Sequence, residues 1–128
     1  MAKRILAVDD DENVLNLVKA ILVQNGFDVV TAGGAEDALT LLERDAVDLM
    51  LLDVVMPEMD GFELCRRIKA DPRIKDLPIV FLTARGGGEA LAEGFESGGV
   101  MYIRKPFAAA KLLAVVGTML KSAEHGLS

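Results

Sequence analysis

Residues 49–52, Leu-Met-Leu-Leu, form an apolar run that carries no charge and stops abruptly on Asp53. A run without polar alternation offers no face to water, so it suits a central parallel strand covered on both sides. Open α/β sheets hold their chemistry just beyond the carboxyl ends of such strands, which makes Asp53 the first candidate for a working residue. An isolated strand-end aspartate also caps loops through its own side chain, so the rest of the chain must decide between the two readings.

The flanking sequence repeats one unit, a short apolar strand followed by an amphipathic helix. Residues 3–8 (KRILAV) read as a strand, and the acidic cluster Asp9-Asp10-Asp11-Glu12 follows where a helix begins. Over 13–24, Val14, Leu15, Leu17, Val18, Ile21 and Leu22 recur at helical spacing, and Gly26 is the expected stop. Strands are expected at 27–31, 47–53, 77–83 and 100–104, and helices at 35–44, 62–68, 89–97 and 108–122. Asp71-Pro72 closes the third helix, because the residue before proline is driven out of the helical region. Five strands alternating with five helices through short connections imply a doubly wound parallel sheet with right-handed crossovers, flavodoxin-like (βα)5 with strand order 2-1-3-4-5.

The 128 residues suffice for one domain, expected over 1–122, with a polar tail at 123–128 that includes the single histidine, His125, to which no chemistry is assigned. The hydrophobic fraction of 52% with no tryptophan matches an aliphatic sheet buried on both faces. A net charge of −6 lacks the basic face that exchanges for phosphate counterions, so direct nucleic-acid binding is not expected. The single Cys65 has no intramolecular partner for a disulfide, and no apolar run reaches membrane-spanning length. A core role for Cys65 and a cytoplasmic location, without membrane association, are the expectations.

In strand order 2-1-3-4-5 the first and third strands are neighbours, so the Asp9-Asp10 loop and Asp53 meet at one crevice. Three carboxylates that close repel one another and call for a cation among them. An all-oxygen set with room for water and phosphate suits Mg2+, with Mn2+ as a plausible substitute. The fourth strand ends on Thr83 and the fifth runs into Lys105-Pro106, adding a hydroxyl donor and an ammonium suited to phosphoryl oxygens.

This ordered set, Asp9-Asp10, Asp53 with Met56-Pro57 and Asp60-Gly61 behind it, Thr83-Ala84, and Tyr102-x-x-Lys105-Pro106-Phe107, resembles a response-regulator receiver domain. The resemblance extends from Lys3 to about Lys121, and the motifs in combination are far more specific than an acid pair alone. It implies that Asp53 is the phosphoacceptor, Asp10 a direct Mg2+ ligand, Asp9 a partner of the metal often through water, and the Val55 carbonyl a further ligand. Lys105 would then pair with the phosphoryl group, Thr83 would move to hydrogen-bond it, and Tyr102 would change rotamer as part of the switch. A cis bond before Pro106 is implied as well. The donor would be a phosphohistidine on a sensor histidine kinase or phosphotransfer protein, and the recipient of the signal a downstream effector domain or protein. The chain would be a monomer or a phosphorylation-dependent dimer. Such a domain catalyses only its own phosphorylation and dephosphorylation.

Competing readings are testable against the same residues. A flavin or nucleotide binder of this fold wants glycine or hydroxyl residues after the first strand to donate to phosphate, and three aspartates there repel it. An aspartyl-phosphate phosphatase of the haloacid-dehalogenase type carries a second acid two residues after its nucleophile, where this chain has Val55. A phosphorelay intermediate or a pseudo-receiver that only binds partners are the remaining alternatives, the latter disfavoured by the complete set Asp10, Asp53, Thr83 and Lys105. Asp11 reads as a helix cap rather than a ligand. Val55 and Arg85 should flank the phosphoryl group, and an apolar Val55 implies slow autodephosphorylation. Gly86-Gly87-Gly88 and Gly94 point to a soft fourth helix, since an interior glycine costs about 1 kcal/mol relative to alanine.

Overall fold

The computed structural model describes residues 2–84 and 101–124. It contains β1 (Arg4–Val8), α1 (Glu12–Gln24), β2 (Asp28–Ala32), α2 (Ala35–Arg44), β3 (Leu49–Asp53), α3 (Gly61–Ala70), β4 (Ile79–Thr83), β5 (Met101–Arg104) and a C-terminal helix, Ala109–Glu124. The five strands are parallel in the order β2-β1-β3-β4-β5. The helix expected at 89–97, Arg85, Gly86-Gly87-Gly88, Gly94 and His125 lie outside the described residues.

Each strand sends alternate side chains to opposite faces, and the core divides accordingly. Leu6, Val8, Met50, Leu52, Ile79 and Phe81 pack beneath α2 and α3. Ile5, Ala7, Leu49, Leu51, Val80, Leu82 and Ile103 pack beneath α1 and the C-terminal helix. All five β3 residues are buried, as the uninterrupted apolar run requires of a strand covered twice. Cys65 lies in the core on the α3 face.

The helix ends obey local chemistry. Asp11 is the N-cap of α1, its side chain accepting from the Asn13 amide, and Asp60 caps α3 by accepting from the Glu63 amide at 2.9 Å. At the far end of α1, Gly26 takes φ +90°, and the amides of Gly26 and Phe27 donate to Val23 and Leu22. That use of the Phe27 amide delays β2 by one residue from its expected start. β4 likewise begins at Ile79 rather than 77, because Pro78 has no amide to give the ladder. The C-terminal helix runs through Glu124, past the expected limit at 122, since Lys121, Ser122, Ala123 and Glu124 contain no breaker and the first glycine comes at 126. Residues 123 and 124 therefore belong to the helix rather than to a tail. Among the described residues no helix is long and apolar enough to cross a membrane.

Candidate functional site

The strand register sets the site. Val8 pairs with Leu52, Asp53 with Leu82, and Thr83 with Arg104, so the carboxyl ends of β1, β3, β4 and β5 line one edge of the sheet. Asp9, Asp10, Asp11, Asp53, Val55, Ala84 and Lys105 line an open cleft of about 400 Å3 at that edge. One carboxylate oxygen from each of Asp9, Asp10 and Asp53 lies within 4.8 Å of the others.

The three acids differ in surroundings. Asp9 is buried, tied by its amide to the Ala32 carbonyl at 3.2 Å, and both of its carboxylate oxygens are engaged. Oδ1 accepts from the Asp11 amide at 2.9 Å and Oδ2 from Lys105 Nζ at 2.7 Å. Asp10 is exposed. Asp53 is buried, and Lys105 Nζ stands 3.4 Å from its Oδ1. Burial, and then the charge of Asp9, push the Asp53 carboxyl up to about 6 against the opposing pull of Lys105 and a backbone hydrogen bond from Val55. Burial alone would lower the Lys105 ammonium, but its hydrogen bond to Asp9 and the charges of Asp53 and Asp9 prevail and raise it. A lysine held between two buried acids is partial compensation: among the described residues, one positive charge faces the three carboxylates of Asp9, Asp10 and Asp53. The donor set, oxygen only and net negative, fits a hard divalent cation such as Mg2+.

A family model described as the response regulator receiver domain matches residues 5–117. The chain belongs to that family. The receiver domain is 40% identical over 121 residues to the response regulator PleD of Caulobacter vibrioides, covering 94% of this chain and 27% of PleD. It is 41% identical over 118 residues to the response regulator MprA of Mycobacterium leprae, covering 92% of this chain and 51% of MprA. It therefore spans about half or less of the length of these relatives. A solved CheY-like response-regulator receiver domain protein from Methanospirillum hungatei superposes with a TM-score of 0.92 at 29% identity, over 98% of this chain and 99% of that one. Receiver domains are signalling modules of two-component response regulators, and the acidic pocket of this one lies where the topology puts it.

Of the residues singled out from the receiver-like motifs, Asp9, Asp10, Asp53 and Lys105 are brought together directly. Val55 lines the same cleft and is 55% exposed. Thr83 closes β4, and its hydroxyl lies outside the described atoms. Tyr102 is half-buried on β5, its ring 5.5 Å from that of Phe81, which in turn meets Phe62 edge-on at 5.1 Å. The Lys105–Pro106 bond is cis, matching the receiver resemblance. The packing of one motif residue is not written in the sequence. Gly61, in the first turn of α3, lies directly behind Asp53, and a β-carbon built there would sit 2.2 Å from the Asp53 carbonyl oxygen.

Proposed function

We propose that this receiver domain is a phosphorylation-operated switch in which Asp53 accepts a phosphoryl group from the phosphohistidine of a sensor histidine kinase or phosphotransfer protein. The observation that carries this reading is the convergence of the Asp9, Asp10 and Asp53 oxygens within 4.8 Å beside the Lys105 ammonium. A carboxylate oxygen of Asp53 attacks phosphorus, the O–P bond forms as the N–P bond breaks, and the leaving electron pair returns to the imidazole. Such a transfer needs an aligned nucleophile and compensated charge more than covalent assistance.

Asp10, Asp53 and the Val55 carbonyl would hold Mg2+, or Mn2+ in its place, with Asp9 contributing through water because its two oxygens already serve Asp11 and Lys105. The cation supplies charge compensation for the phosphoryl oxygens. Lys105 exchanges a carboxylate partner for the phosphoryl group, whose charge of roughly −1.5 to −2 outbids Asp53 alone. Thr83 hydrogen-bonds the group from the end of β4. Its movement, with a rotamer change at Tyr102, alters the surface formed by the fourth helix, β5 and the C-terminal helix. The differential contacts of Thr83 and Lys105 in the two states are what bias the equilibrium. The reader of that surface is a downstream effector domain or protein in the cytoplasm; neither nucleic acid nor membrane is bound directly.

Beryllofluoride, which imitates an aspartyl phosphate, tests this with Mg2+ present. The parent chain should bind it stoichiometrically by 19F NMR, and Asp53→Asn should abolish binding. Retained binding in Asp53→Asn, or none in the parent, overturns the assignment.

A further inference from the structure

Gly61 stands out because nothing in its backbone demands glycine. It is helical, and in an exposed helix alanine would be the better residue by about 1 kcal/mol on propensity alone. Space is what excludes a side chain: a β-carbon would lie 2.2 Å from the Asp53 carbonyl oxygen and 3.0 Å from both the Asp53 carbonyl carbon and the Val54 α-carbon. All three are main-chain atoms, so none can swing away as a side chain would.

The start of α3 is fastened at three points. The Gly61 amide donates to the Val54 carbonyl at 2.8 Å, Asp60 caps the helix through the Glu63 amide, and Phe62 is fully buried against Phe81. The β3 end is less firmly held. Leu52 is paired on both sides, with Val8 and Phe81, whereas the Asp53 pairing is with β4 alone. A side chain at position 61 would therefore displace the Asp53-Val54 segment more readily than the helix. That segment carries the Asp53 carboxylate and leads into the Val55 carbonyl.

We propose that Gly61 is a positioning residue for phosphoryl transfer: by having no side chain it lets the anchored end of α3 serve as a backstop that sets the Asp53 carboxylate and the Val55 carbonyl. The inference rests on the switch reading given above. Misplacing a reacting group by about 1 Å costs on the order of 100-fold in rate, so a small main-chain shift is enough to be seen.

The test compares parent, Gly61→Ala and Leu22→Val, the last loosening the core layer on the opposite face of the sheet, at the far end of α1, without touching α3 or Asp53. Acetyl phosphate with Mg2+ serves as donor, Mg2+ affinity is measured by calorimetry, and folding by circular dichroism and thermal melts. Gly61→Ala should remain folded, lose about 10- to 100-fold in kcat or Mg2+ affinity, and keep its KM for acetyl phosphate within about threefold. Leu22→Val should lose stability with kcat and Mg2+ affinity within about threefold of the parent. Parent-like values for Gly61→Ala, or losses in the two variants that merely track their melting temperatures, overturn the proposal. If Gly61→Ala does not fold, amide exchange in the parent decides: Mg2+ should slow exchange of the Gly61 amide, bonded to Val54, by at least about tenfold, and no change overturns it. A parent that takes neither Mg2+ nor a phosphoryl group refutes the switch reading itself and the Gly61 role with it, an outcome distinct from any difference between variants.

Discussion

At Asp53 two effects oppose ionisation, burial and the Asp9 charge, and the carboxyl rises to about 6 from its ordinary 3.8. The folded state then binds a proton more readily than the unfolded chain, so in the absence of divalent cations stability falls as pH rises from 3.8 through 6 and stays low above that. Asp53→Asn should therefore stabilise the cation-free protein at pH 7.5 by on the order of 1–2 kcal/mol, with the gain shrinking as pH drops below 6. Urea melts at several pH values check this, and an unchanged or lowered midpoint at pH 7.5 would contradict it. Next to Asp53, the exposed Val55 side chain has no group with which to orient an attacking water. Val55→Asn should shorten the acyl-phosphate lifetime by about tenfold; a parent lifetime of seconds that the substitution does not shorten would dispose of the idea. Asp53 was legible because it stands at a strand end, where the chain changes from apolar to polar. Gly61 was not legible in the same way: its role depends on how closely α3 approaches β3, which no pattern within a few residues records.

Among the elements, α1 and α3 show two different uses of glycine. Gly26 follows α1 at φ +90° with nothing within 4 Å of the position of a β-carbon, so its need is conformational. Gly26→Ala should cost about 1 kcal/mol and leave Mg2+ affinity untouched, by thermal melts and calorimetry. A loss of Mg2+ affinity there would mean that the far end of α1 is coupled to the cleft. Gly61 reverses both features, helical in backbone and crowded by main chain. Gly26 was legible because a helix stop is written locally, in a glycine after the last apolar turn. The same locality explains the caps at Asp11 and Asp60, and it explains the small errors too. β2 starts late because α1 takes the Phe27 amide, a bond that forms only once the helix terminus is built.

For the whole molecule, the sheet separates two hydrophobic layers and collects charge at one edge. The chain is acidic overall at −6, and the cleft brings the carboxylates of Asp9, Asp10 and Asp53 together beside Lys105. A cation that binds only the folded state stabilises it by mass action, so Mg2+ at 100 times its Kd should add about 2.7 kcal/mol and raise Tm by several degrees. Asp10→Asn should remove most of that increment. A Tm indifferent to Mg2+ in the parent would speak against a cation site among these acids.

The order of strands and helices, the burial of β3 and the identity of the acids at strand ends were determined by the sequence itself, because they follow from periodicity and capping over a few residues. The distances at which those acids meet Lys105, the tilted contact of the half-buried Tyr102 ring with Phe81, and the closeness of Gly61 to Asp53 were decided by the tertiary structure. The physical reason is range. Asp9 and Lys105 are 96 residues apart in sequence yet share a 2.7 Å hydrogen bond. A contact of that kind is set by the register of the parallel sheet and the packing of helices on both faces, not by the preference of any single segment.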